Sequence, residues 1–260
     1  MYRPTSHSHA RVFGMVALLA AVVVSIGTAQ SAKTPQSQLI QEAFRGELVY
    51  TQEAGELQLT AGSDVTRNRI QAPGTLSLGA EYGLTAAWQV SLEWQAPTFW
   101  SGNAPPSTMS AGIKRAWMRL GGSGLDLASG VGLTFPLTGP ARTNLTELES
   151  FVVLAANPAD GALHIFVGAS LGVLPVPGDG DADEAAGLVW HAGVVARASQ
   201  FRLTAELDRE RHGEVCLTPG VVWRGSSAFQ VGLAAPIGLT ATGTRPQLIA
   251  KVTYELHGND

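Results

Sequence analysis

Charged and polar side chains stand at alternate positions within otherwise apolar stretches of this sequence. In 78–94, LGAEYGLTAAWQVSLEW, Glu81, Gln89 and Glu93 alternate with Leu78, Ala80, Tyr82, Trp88, Val90, Leu92 and Trp94. Asp126, His164, His191, Arg197, Arg202, Glu206, Arg224, Lys251 and Glu255 occupy the polar phase of similar stretches further on. An extended strand throws successive side chains to opposite faces, so these residues share one face and can line a common space. Opposed acidic and basic side chains across a narrow lumen would create a transverse field and a constriction that selects polar solutes. The competing reading is that they pair with one another and fill that space.

Other chemistry is poorly supported. Cys216 is the one cysteine, which excludes an internal disulfide and a thiolate zinc site. His164 and Ser170 share a face, but six residues of strand separate them by about 20 Å. No catalytic residue is assigned, and an enzyme is not expected. The acidic run PGDGDADEAA begins like a calcium loop, with Asp179, Asp181 and Asp183 at alternate positions. Its sixth position is Glu184 where Gly is needed, and its twelfth is Trp190 in place of Glu. No metal and no cofactor are assigned. Net charge is −4 with a pI near 5.9, and no basic cluster exists to neutralise phosphates, which argues against nucleic acid.

The elements that must position the polar face are short and periodic. Period-two segments of about ten residues recur at approximately 55–62, 75–83, 86–96, 109–120, 124–136, 145–156, 161–172, 187–198, 200–208, 214–224, 227–236 and 247–256. The fourth, MSAGIKRAWMRL, and the sixth, TELESFVVLAAN, lose the alternation midway, which predicts bulges there or other strand boundaries. Long connections such as PTFWSGNAPPSTM and VLPVPGDGDADEAA alternate with short ones such as GLTA, GGSG and SQ. Alternate connections of an up-and-down barrel lie at opposite ends, and short turns inside with long loops outside are the bacterial outer-membrane arrangement. The predicted fold is therefore all-β: an up-and-down antiparallel transmembrane β-barrel of about twelve strands. Its polar, glycine-rich face lines the lumen and its apolar face meets lipid, with Tyr82, Trp88, Trp94 and Tyr254 as lipid-interface anchors.

Only 15% of residues are charged, against roughly a quarter in soluble proteins. The one long apolar run, Val12 to Ile26, follows Arg3 and Arg11 and precedes small residues. This is the pattern of a secretory signal peptide. The expected organisation is a signal peptide at 1–32, a lead-in at 33–54 too short for a plug domain, a barrel at 55–256 and a tail at 257–260. Export to the bacterial outer membrane follows.

The stretches TQEAGELQLTAGS (51–63), LGAEYGLTAAWQVSLEW (78–94) and RPQLIAKVTYEL (245–256) resemble the outer-membrane family labelled meta-pathway of phenol degradation. The resemblance implies a transporter-like barrel that passes small hydrophobic or aromatic molecules, and it transfers no site residue. The chain departs from that pattern in its acidic loop 173–186 and in ending its last strand at Leu256, followed by HGND, where an aromatic residue is usual. A passive channel for small solutes is thus the expected function. A structural or adhesive barrel with a closed lumen ranks next, and an outer-membrane lipid-modifying enzyme third. Expected partners are outer-membrane lipid and lipopolysaccharide, the barrel-assembly machinery and a small-molecule solute. The oligomeric state is left open.

Overall fold

The computed structural model describes residues 43–66, 74–97, 106–138, 147–158, 162–173, 186–209, 213–240 and 247–256. The leader-like stretch at 1–32, most of the acidic loop and the tail at 257–260 lie outside the described residues. The strands are β1 (Leu57–Thr66), β2 (Thr75–Thr85), β3 (Trp88–Pro97), β4 (Thr108–Trp117), β5 (Leu125–Pro136), β6 (Glu147–Ala156) and β7 (Leu163–Val173). They continue as β8 (Ala186–Ala198), β9 (Phe201–Arg209), β10 (Val215–Arg224), β11 (Phe229–Ala234), β12 (Ile237–Gly238) and β13 (Gln247–Leu256).

Each strand pairs antiparallel with its sequence neighbour from β1 to β10, and β13 closes the ring. It pairs with β1 from Leu57↔Leu256 to Thr66↔Gln247, and with β11 from Phe229↔Tyr254 to Ala234↔Ile249. Pro236 cannot donate to a ladder, and it falls where one stave breaks into β11 and β12. Both pieces stay on β10, through Gly220↔Ala234 and Leu217↔Ile237. The barrel thus has twelve staves, as the alternation predicts.

Alternation also sorts the two faces. Leu78, Leu92, Val167, Leu203 and Leu248 point outward, with Leu203 still 54% exposed. Such a continuous apolar wall suits lipid and no aqueous setting. Tyr82, Trp88 and Tyr254 stand outward near the short-turn ends, and Trp94 outward in the long-loop half of β3. Ser199 takes φ 59° in the two-residue turn joining β8 to β9, the left-handed geometry that matches strand twist in so tight a hairpin.

The bulges predicted in the fourth and sixth segments are absent. β4 and β6 pair with both neighbours without a register shift, whereas a shift does occur between Gly83 and Thr85 in β2. Polarity breaks in β4 because Arg115 faces outward between two tryptophans. In β6 it breaks because Phe151, Val153 and Ala155 face a filled lumen.

The filling is the chain itself. The described part of the lead-in, 43–54, lies inside the barrel and runs on through Gly55 and Glu56 to β1. Ala43, Phe44, Leu48 and Val49 make one apolar cluster with inward side chains of the wall, among them Val153, Phe166, Val195, Val222 and Ile249. Phe44 fits because two wall positions lack a side chain: a Cβ on Gly220 or Gly232 would lie 2.7 or 2.8 Å from its ring. The segment then descends to the β2–β3 turn, where the Gly55 N–H donates to the Gly83 carbonyl (2.8 Å) and the Gly83 N–H to that of Glu56 (3.0 Å).

A Cβ on Gly83 would overlap the Glu53 carbonyl, whereas one on Gly79 meets nothing closer than Thr60 at 3.9 Å. Gly83→Ala is therefore expected to cost about 1–3 kcal/mol of stability and Gly79→Ala much less. The difference should be read as a lower urea midpoint for refolded protein in vesicles.

Candidate functional site: a lumen occupied by the N-terminal segment

The segment is held by wall side chains that bind its backbone. Glu206, only 1% exposed, accepts the Phe44 N–H on Oε1 (2.8 Å) and those of Arg45 (2.8 Å) and Gly46 (3.0 Å) on Oε2. Three successive amides converging on one carboxylate form an anion-binding concavity. Lys251 Nζ donates to the Ala43 carbonyl at 2.7 Å. Lys114 Nζ donates to the Leu48 carbonyl at 3.4 Å and lies 3.5 Å from the Glu47 carboxylate.

Side chains of the segment complete the seating. The Tyr50 hydroxyl donates to Asn157 Oδ1 (2.8 Å) and lies 3.2 Å from His164 Nδ1, while Asn157 Nδ2 donates to Asp126 (3.0 Å). Tyr50, His164, Phe166 and His191 form a run of neighbouring rings with centroids 5.1, 5.6 and 6.0 Å apart. At the short-turn end the Gln52 N–H donates to Gln89 Oε1 (2.9 Å), and its side-chain amide donates to Gln58 (2.8 Å) and Glu81 (3.1 Å).

One side of the lumen stays open. A cavity of about 670 Å³ lies between the segment and the inner faces of β1 to β6. Glu81, Glu93, Glu147 and Glu149 line it together with Lys114 and Lys251, among serine and threonine hydroxyls. It extends toward the long-loop ends at Gln95 and Thr108 and is bordered by Glu47 and Leu48 where they meet Lys114.

All the predicted luminal residues face inward, but they do not form one ring of opposed charge. Arg197 and Arg202 sit opposite each other near the short-turn end of β8 and β9. Arg202 donates to the Ser199 and Phe201 carbonyls at 2.7 and 2.9 Å, and Arg224 to the Ser226 carbonyl at 3.2 Å. His191 is buried, its ring held where Gly46 and Gly168 lack a Cβ. Glu93 accepts from Gln95 at 3.0 Å, and Glu255 faces Gln58 across the β13–β1 seam. Sequence reasoning missed Phe44, Glu47, Tyr50, Lys114, Asn157 and Glu149. The available signal was the apolar content of the inner face at Val153, Phe166, Val195, Val222 and Ile249.

Gly168-Ala169-Ser170-Leu171-Gly172 spells G-x-S-x-G, yet it lies wholly within β7, and a nucleophile elbow requires a strand–turn–helix junction. His164 is bonded to Tyr50 and Asn157, inside the lumen and away from lipid. Among the described residues no three metal-binding side chains converge.

No family model and no curated protein matches the sequence. The fold does match solved structures. The KdgM porin aligns with a TM-score of 0.59 at 9% identity, over 77% of this chain and 99% of that one. The chain has a porin-like β-barrel fold. The KdgM porin in complex with disordered oligogalacturonate matches equally, again with a TM-score of 0.59 at 9% identity over 77% and 99% of the two chains. Outer membrane phospholipase A from Escherichia coli is looser, with a TM-score of 0.46 at 10% identity over 79% of this chain and 94% of that one, and carries no argument. At such identities the likeness concerns the fold and says nothing of the solute.

Glu206→Ala removes the acceptor of three segment amides. A hydrogen bond to a charged group contributes about 1.5–3 kcal/mol, so exchange of amides 44–46 should accelerate roughly 10- to 100-fold by hydrogen–deuterium mass spectrometry. Unchanged exchange would mean that packing of Phe44 and Leu48 alone holds the segment.

Proposed function

We propose that this protein is a bacterial outer-membrane barrel that passes small polar solutes passively, with its own N-terminal segment setting the bore. The cavity of about 670 Å³ beside the segment carries this reading, since that volume is of small-molecule size. The apolar outer wall, the leader-like start of the sequence and the porin-like fold support residence in the outer membrane, with the long loops outside. Five glutamates against Arg45 and two lysines in the lining favour neutral or cationic solutes over anions. The aromatic cargo implied by the family resemblance would find ring contacts at Phe44 and Phe151, which also line the cavity.

A closed structural barrel is the second reading. Its support is the number of ties on the segment, from Glu206, Lys251, Tyr50 and Gln52.

Planar-bilayer conductance of the refolded mature protein separates the two. A channel throttled by its segment should give small, cation-preferring steps. Glu206→Ala should enlarge them or raise their frequency, and Glu93→Gln with Glu149→Gln should lower the cation preference. Block by an aromatic amine but not by a sugar of similar size would favour aromatic cargo. Silence from both wild type and Glu206→Ala, with the barrels folded, would leave the structural reading.

A further inference from the structure

Among the described strands, the outward positions carry just two charged side chains. Arg209 is the last residue of β9, at the long-loop rim. Arg115 lies near the opposite rim, on β4, across from Trp88 of β3 and Ser129 of β5. Its guanidinium carbon is 5.3 Å from the Trp88 ring centroid and 4.7 Å from that of Trp117. Trp88 opens β3 and Trp117 ends β4, so the group sits at the short-turn rim of the apolar wall.

This arrangement leaves donors without acceptors. Arg115 has no hydrogen bond and no carboxylate partner among the described residues, and its Nε is buried. Trp117 is 3% exposed, and its indole N–H is likewise buried and unpaired. Packing against the tryptophans engages the guanidinium through its π contacts, whereas its N–H groups radiate in the guanidinium plane, the geometry that grips a phosphate bidentately. A half-buried cation with no carboxylate partner, set in an apolar wall, calls for an anion. On a lipid-facing wall at the interface, the anions at hand are headgroup phosphates.

We propose that Arg115, clamped by Trp88 and Trp117, binds the phosphate of a phospholipid headgroup in the periplasmic leaflet; this rests on the membrane placement proposed above. The terminal nitrogens of the guanidinium supply two N–H donors and the charge, and the two indole rings hold its plane in place. Recognition is of the phosphate, so phosphatidylethanolamine and phosphatidylglycerol should both bind.

The test is native mass spectrometry of the full mature barrel released from mixed micelles holding phosphatidylethanolamine, phosphatidylglycerol or diacylglycerol. Wild type should retain one phospholipid far more strongly than diacylglycerol. Arg115→Gln should lower that retention at least tenfold, whereas Arg209→Gln should not change it. Should Arg115→Gln fail to give a heat-modifiable barrel, Arg115→Lys decides, since it keeps the charge but loses the planar fork and should still lose most retention. Equal retention by wild type and the Arg115 variant, or equal retention of diacylglycerol, overturns the proposal. Displacement of the lipid by an equal concentration of inorganic phosphate also overturns it, by making the site one for free anions. Failure of the folded wild type to enter phospholipid vesicles at all would instead refute the membrane reading.

Discussion

A sheet with open edges in hydrocarbon would leave a row of N–H and C=O groups unpaired, each at a cost of several kcal/mol. The seam between β13 and β1, ten consecutive residue pairs from Leu57↔Leu256 to Thr66↔Gln247, removes that edge. Much else follows from closure. Once the ring is sealed, the two-residue side-chain period assigns each residue either to the surrounding phase or to the lumen. The weak point of the ring is Ala235–Pro236, where the ladder to β13 stops. There the wall leans on β10, through Ala235 N–H to the Pro219 carbonyl (3.0 Å) and Leu239 N–H to that of Val215 (2.8 Å).

Closure at twelve staves creates a second problem. About eight strands give an interior that side chains can just fill, so twelve leave a void. The chain meets it asymmetrically. The inner faces of β7, β8, β10 and β13 contribute Phe166, Val195, Val222 and Ile249 among their polar side chains, with Phe166 lying over Gly193, and Phe44 over Gly220 and Gly232. Against them the segment packs as a core. Inner faces of β2 to β6 carry hydroxyls and carboxylates and keep the cavity. Packing on one side and solvation on the other are what a partly filled bore requires.

Strand existence and facing were legible because a half-buried wall forces strict alternation over ten residues, as in Leu125–Pro136 and Phe201–Arg209. The two segments whose alternation fails are informative in retrospect. Arg115 sits on the apolar face because two tryptophans sheath it, and Phe151 and Val153 sit on the polar face because the lumen beside them is occupied. A local rule was overridden by a tertiary contact in both cases. The luminal course of 43–56 was not legible from its own residues, AFRGELVYTQEAGE, which have no period and carry only the short apolar runs Ala43-Phe44 and Leu48-Val49-Tyr50. Its trace lay in the strands around it.

The charges show why listing residues by face could not yield the site. Arg202 and Glu206 share the inner face of β9, roughly 13 Å apart along the strand, and each satisfies itself on backbone: Arg202 on the carbonyls of Ser199 and Phe201, Glu206 on three amides of the segment. Lys251 and Lys114 likewise reach the carbonyls of Ala43 and Leu48. The amides and the Leu48 carbonyl of a separate segment hold Glu206 and Lys114 only while that segment is in place. Its withdrawal would widen the bore and, in the same step, bare Glu206 and Lys114 to it. Bore width and luminal charge are therefore coupled through one stretch of fewer than fifteen residues, and a constriction sought among wall side chains alone omits the element that sets both.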